Sequence, residues 1–172
     1  MADKILIVDD EKLERRGIRF LLKREGDFQI LEAANGKDAL GILASNHVDI
    51  LFSDVKMPYM NGLELTKAVR EDHPEMEIVI FSGYNDFSYA REALRYGVVD
   101  YVLKPVDPNE FHKTFQRVME NISSKEEKQK QQELLESQLA MLQAQLAQLQ
   151  RQQAEEAMPK QEKGQAVAEG IN

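Results

Sequence analysis

The sequence predicts a doubly wound α/β domain with a parallel sheet, followed by a helical extension. Three observations predict it. Four short runs, "KILIVDD", "VDILFSD", "EIVIFSG" and "DYVLKP", are nearly continuous in Ile, Val, Leu and Phe, as in strands covered on both faces. Helical patterns lie between them, so strand and helix alternate. All Phe and Tyr residues fall before about residue 121, whereas Leu135, Leu139, Leu142, Leu146 and Leu149 recur later at spacings of 4, 3, 4 and 3. That recurrence is the pattern of a coiled-coil seam.

The elements follow in order. "KILIVDD" gives the first strand, and Leu13, Gly17, Phe20 and Leu21 define one face of the helix after it. The weaker run "FQILEAA" gives the second strand and "GKDALGILASN" a short second helix. After "VDILFSD", Asn61 followed by Glu64 has the form of a capping box, with Leu65 and Val69 inward. After "EIVIFSG", Asn85 is placed to cap a helix that stops at Gly97. After "DYVLKP", Asp107-Pro108-Asn109-Glu110 opens the fifth helix with a capping Asp and Pro at the first helical position. The expected organisation is a domain over residues 1–121, a helical extension over 122–157 and a disordered tail over 158–172.

Composition narrows the function. The 172 residues carry a net charge of −8, which disfavours nucleic acid and anionic membranes as generic partners. No direct nucleic-acid or membrane binding is expected. There is no cysteine, hence no disulfide framework or thiolate chemistry, which fits a cytoplasmic protein. No run approaches the ~20 apolar residues of a membrane span. His47, His73 and His112 lie far apart, so no His-based metal site is expected.

In a parallel sheet, ligands bind beyond the carboxyl ends of the strands. The first strand ends in Asp9-Asp10, followed by Glu11; the third ends in Asp54, the fourth in Ser82-Gly83 and the fifth in Lys104-Pro105. Carboxylates brought together there repel one another and call for a hard cation such as Mg²⁺. Lysine and serine supply a fixed charge and a hydroxyl donor for phosphoryl oxygens. Asp54 could then attack phosphorus in line and form an acyl phosphate. Singly, each residue reads otherwise: a strand-end Asp as a turn former, Lys104 as a solvated lysine, Ser82 as a turn residue. Their joint position at four strand ends favours the site.

Residues 1 to about 121 resemble the receiver domain of bacterial two-component response regulators. The resemblance rests on Asp9-Asp10 after "ILIV", on "DVKMPYMNG" from Asp54 to Gly62, on "FSG" at 81–83 and on "DYVLKP" at 100–105. It implies a five-stranded flavodoxin-like sheet in the order 2-1-3-4-5. It implies that Asp54 is the phosphoacceptor, supplied by a sensor histidine kinase. Asp10, Asp54 and the backbone carbonyl of Lys56 would bind Mg²⁺, with Asp9 acting mainly through water. Ser82 and Lys104 would contact the phosphoryl group, and Tyr101 would follow Ser82 as the switch aromatic. Lys56 and Tyr84 occupy the positions that tune phosphoryl lifetime, while Met57-Pro58 and Gly62 shape the loop after the acceptor. Such a protein catalyses only its own phosphorylation and dephosphorylation. The output surface would be the fourth helix, fifth strand and fifth helix.

The stretch "SGYNDFSYAREALRYGVVDYVLKPVDPNEF" is especially similar to receivers that precede AraC-type DNA-binding domains, but no basic helix-turn-helix pattern follows it within these residues. With Leu135, Leu142 and Leu149 at d, Leu139 and Leu146 fall at a, and the seam breaks at Lys125, Lys128 and Gln132 upstream and at Gln153 and Glu156 downstream. Two heptads alone are marginal in water. Support would come from a rod continuing the fifth helix, about 75 Å long if helical from Asp107 to Ala157. The e and g positions are mostly glutamine (Gln138, Gln143, Gln145, Gln150, Gln152), which leaves little charge-based choice of partner. A second copy is the simplest partner, as a parallel dimer; a solvated single helix or a glutamine-rich linker is the bland reading. Four functions compete: a phosphorylation-switched regulator acting by self-association or partner binding; the front of a longer DNA-binding regulator; an aspartyl-phosphate hydrolase, disfavoured because the first strand ends Asp-Asp-Glu instead of Asp-x-Asp; and an unphosphorylated docking module.

Overall fold

The computed structural model describes residues 3–83 and 87–157. The elements are β1 (Lys4–Val8), α1 (Lys12–Glu25), β2 (Gln29–Ala33), α2 (Gly36–Ser45), β3 (Ile50–Asp54), α3 (Gly62–Asp72), β4 (Glu77–Ser82), α4 (Phe87–Arg95), β5 (Asp100–Leu103) and α5 (Pro108–Glu156). The chain divides into two units, residues 1–124 and 125–172. The anticipated cap of α4 at Asn85 and the expected tail at 158–172 lie outside the described residues.

In the first unit all strand pairs are parallel, in the order β2-β1-β3-β4-β5. Successive strand residues point to opposite faces, and here both faces are covered. Leu6 and Val8 join Leu51, Ile78 and Ile80 beneath α2 and α3, with Ala39, Leu43, Leu65 and Val69. Ile5 and Ile7 join Phe52, Val79 and Phe81 beneath α1 and α5, with Ile18, Leu22, Phe111, Phe115 and Val118. This two-sided burial is why the strands are apolar runs and not alternating ones. Each fully buried Ile, Leu or Phe contributes about 1.5–3 kcal/mol over its exposed state.

Local signals set the helix starts. The Asn61 side chain accepts from Glu64 N at 2.8 Å and completes a capping box. Asp107 Oδ1 accepts from Asn109 N at 3.0 Å at the start of α5. Gly97, at φ 71°, takes the left-handed turn after α4, where a Cβ would be strained. Arg70 closes the same corner: Nε donates to the Tyr96 carbonyl at 2.6 Å and Nη2 to that of Gly97 at 2.9 Å, while Nη1 reaches Met76 O at 2.6 Å.

The face expected for α1 is corrected. Its buried residues are Ile18 and Leu22, Leu21 is partly buried, and Leu13 and Phe20 are 78% and 64% exposed. Several apolar stripes fit one helical period; packing on Ile5, Ile7 and Phe52 selects one. Gly17, on the exposed side, has open space where a Cβ would stand, with nothing within 4 Å, and the same holds for Gly41 in α2. Gly17→Ala and Gly41→Ala should therefore each stabilise the domain by roughly 0.5–1 kcal/mol; thermal unfolding of the single variants checks this.

In the second unit α5 continues to Glu156. Gln129 and Gln132 bond Glu133 and Glu136 one turn on, each at 3.3 Å, pairs that favour helix. Leu135, Leu139, Leu142, Leu146 and Leu149 are between 54% and 66% exposed in the single chain. Among the described residues no helix is long and apolar enough to cross a membrane.

Candidate functional site

The parallel sheet brings the ends of β1, β3, β4 and β5 to one edge. Asp9 follows β1 and is 1% exposed. Its Oδ1 accepts from Glu11 N at 2.9 Å, and its Oδ2 accepts from Lys104 Nζ at 2.9 Å. Asp54 ends β3, the central strand, where Val55 N donates to its Oδ1 at 2.9 Å. Lys104 Nζ lies 3.5 Å from that same oxygen. Asp10 is exposed at the opening of the site. Asp9, Asp10 and Asp54 each offer a carboxylate oxygen, and these oxygens lie within 4.8 Å of one another.

The sequence named these residues, and the fold assembles them. Ser82 ends β4 and is fully buried. Tyr101, in β5, packs partly buried against the cluster beneath α2 and α3, with its hydroxyl buried. Lys56 lies exposed in the β3–α3 loop. Tyr84 lies outside the described residues. Glu14 is an addition: its Oε2 stands 3.8 Å from Lys104 Nζ. Its only signal in the sequence is its spacing, since a helix starting at Lys12 returns its first turn over the strand ends.

Electrostatics sets the state of the site. Burial pushes the Asp54 carboxyl up from 3.8 to about 6; Lys104 pulls it down, and the neighbouring charge of Asp9 raises it further. Asp54 is thus mainly ionised near neutral pH and still able to act as a nucleophile. For Lys104, burial favours the neutral form, but the hydrogen bond to Asp9 and the charges of Asp54, Asp9 and Glu14 outweigh it and hold the ammonium above its ordinary value. One ammonium is shared by Asp9, Asp54 and Glu14, and Asp10 adds a further carboxylate to the cluster. The residual negative charge and the all-oxygen donor set fit a hard divalent cation.

The loop after Asp54 is held tightly. Gly62 N donates to Val55 O at 2.7 Å. A Cβ on Gly62 would stand 2.2 Å from the Asp54 carbonyl oxygen. Tyr59 in this loop has φ 70° and is fully exposed.

Comparison with known proteins bears on the family and the fold. The family model described as "Response regulator receiver domain" matches residues 5–116, and one described as "FlxA-like protein" matches residues 109–172. The uncharacterized transcriptional regulatory protein YesN of Bacillus subtilis (strain 168) is 35% identical over 121 residues, 69% of this chain and 33% of that protein. The transcriptional regulatory protein BtsR of Salmonella typhi is 35% identical over 124 residues, 72% of this chain and 51% of its own. The chain spans about a third to a half of the length of these two relatives. Among solved structures, the REC domain of AraT, a response regulator from Geobacillus stearothermophilus, is similar at 39% identity and a TM-score of 0.66, covering 73% of this chain and 99% of that one.

Proposed function

This chain belongs to the response regulator receiver domain family of two-component systems, and we propose that it accepts a phosphoryl group on Asp54 from a sensor histidine kinase in the cytoplasm. The observation that carries this reading is the Asp54 carboxylate at the end of β3, 3.5 Å from Lys104 Nζ and beside two further carboxylates. An Asp54 carboxylate oxygen attacks phosphorus as the bond to the kinase imidazole nitrogen breaks, and an acyl phosphate forms. Lys104 and the Ser82 hydroxyl then each donate to a phosphoryl oxygen, and Tyr101 follows Ser82 inward. Asp10, Asp54 and the Lys56 carbonyl would hold Mg²⁺ directly and Asp9 through water; when bound, the ion neutralises charge on the phosphoryl oxygens. Lys56 and Tyr84, two residues after Asp54 and Ser82 in the sequence, tune how readily water removes the phosphoryl group.

The output we propose is self-association through α4, β5 and α5 and through the leucine seam. The exposed Leu135, Leu139, Leu142, Leu146 and Leu149 support a second copy as partner. The seam is short, so its pairing is weak enough for phosphorylation to tip. With Mg²⁺ and acetyl phosphate, intact-mass measurement should find one phosphoryl group on the wild type and at least a hundredfold less on Asp54→Ala. Light scattering with beryllofluoride should report a larger particle. Undiminished labelling of Asp54→Ala would sink the acceptor assignment, and an unchanged mass the proposed output.

One observation favours a second reading. The relatives are transcriptional regulators, and the chain matches only part of their length. In this reading these residues are the front of a DNA-binding regulator, with α5 leading to the output domain. Sequencing the open reading frame past Asn172 decides it: a helix-turn-helix segment supports the reading and a stop codon removes it.

A further inference from the structure

We propose that Arg15 is a positioning residue for the acidic site: it holds the main chain between Asp9 and Asp10 and thereby sets the affinity for Mg²⁺. The inference rests on the Mg²⁺ reading above. Arg15 lies on α1, and its side chain is only 14% exposed. Its Nη1 donates to the Asp9 carbonyl at 2.6 Å. Its Nε donates to Glu32 Oε1 at 3.2 Å, and the other Glu32 oxygen accepts from Arg19 Nη2 at 2.8 Å. The guanidinium is thus clamped on one side by β2 and grips the β1–α1 turn on the other.

The gripped atom is what matters. The Asp9 carbonyl belongs to the planar peptide that joins Asp9 to Asp10. Its orientation sets where both side chains leave the backbone. The Asp9 carboxylate has its own anchors in Glu11 N and Lys104 Nζ. Asp10 is exposed, and the Arg15 bond fixes the peptide plane immediately before it. Groups that orient metal ligands from outside typically change metal affinity 10–100-fold when removed.

Three roles for Arg15 differ in their consequences. As a plain positive charge near the carboxylates it opposes cation binding, so its removal would tighten Mg²⁺. As a latch between α1 and β2 alone, its loss would lower the melting temperature and leave Mg²⁺ affinity unchanged. As a positioning residue, its loss weakens Mg²⁺ despite the favourable change in charge.

The test is calorimetric titration of Mg²⁺ into the full chain, as wild type, Arg15→Met and Arg15→Lys, with circular dichroism confirming the fold. Arg15→Met should bind at least about tenfold more weakly. Arg15→Lys should fall between, because an ammonium keeps the charge and one bond but not the planar fork. Unchanged or tighter binding by folded Arg15→Met overturns the proposal. If that variant does not fold, wild-type affinity in Arg15→Lys overturns it. A wild type that binds no Mg²⁺ overturns the metal reading itself, and this inference with it.

Discussion

Gly62→Ala is expected to destabilise the domain by roughly 3 kcal/mol, the upper part of the range for overpacking a closed site, and to lower its melting temperature by on the order of 10 °C. The added methyl would meet the Asp54 carbonyl oxygen at 2.2 Å, and the Asp54 carbonyl carbon and Val55 Cα at 3.0 Å. All three are backbone atoms, so no side chain can rotate away. The carbonyl is also an acceptor for Ser53 Oγ at 2.9 Å, and Gly62 N is itself bonded to Val55 O. Relief requires moving the first turn of α3 or the backbone of Asp54. The second movement displaces the carboxylate proposed as phosphoacceptor, so phosphorylation should fall along with stability. Urea unfolding beside Gly17→Ala provides the contrast, since one glycine is closed in by backbone and the other open to solvent. Equal stability of Gly62→Ala and wild type would show that the β3–α3 loop yields freely.

Asp54→Asn should act in the opposite direction. In chelator-treated protein at pH 7.5 it is expected to gain about 2–3 kcal/mol. The reason is the carboxyl raised from 3.8 to about 6 by burial and by Asp9, against the pull of Lys104. Above about pH 6 the group is ionised whether folded or unfolded, and the folded state bears the full cost of the confined charge. As pH falls from 6 towards 3.8, the folded state takes up the proton first and the cost is relieved. The wild type therefore recovers stability relative to Asp54→Asn as the solution is acidified. The advantage of the variant should shrink to roughly a third by pH 4.5. Urea unfolding at the two pH values measures it; an advantage of the same size at both would contradict this origin. Screening of the cluster by a bound divalent cation would relieve this cost.

Much of the fold was legible because its causes are local. Five apolar runs, the Asn61–Glu64 box and Asp107-Pro108 state where strands and helices begin, and the structure places them there. The acidic pair, Asp54, Ser82 and Lys104 were legible because each closes an apolar run, and parallel strands carry their ends to one edge. Residues acting through space from an adjacent helix were not. Glu14 and Arg15 look like ordinary polar residues on an exposed helix until α1 is laid across β1. The inward face of α1 was likewise ambiguous, since Leu13, Phe20, Ile18 and Leu22 are all apolar.

By itself, then, the sequence determined the order of elements, the parallel sheet and the four strand ends that meet at one edge. Continuous apolar runs demand cover on both faces, and capping residues act within a turn. Only the tertiary structure decided which α1 residues enter the core, how Lys104 is shared between Asp9, Asp54 and Glu14, why Gly62 admits no side chain, and what Arg15 grips. Those are contacts between segments distant along the chain or across a loop. Their distances follow from packing, and no spacing of residues encodes them.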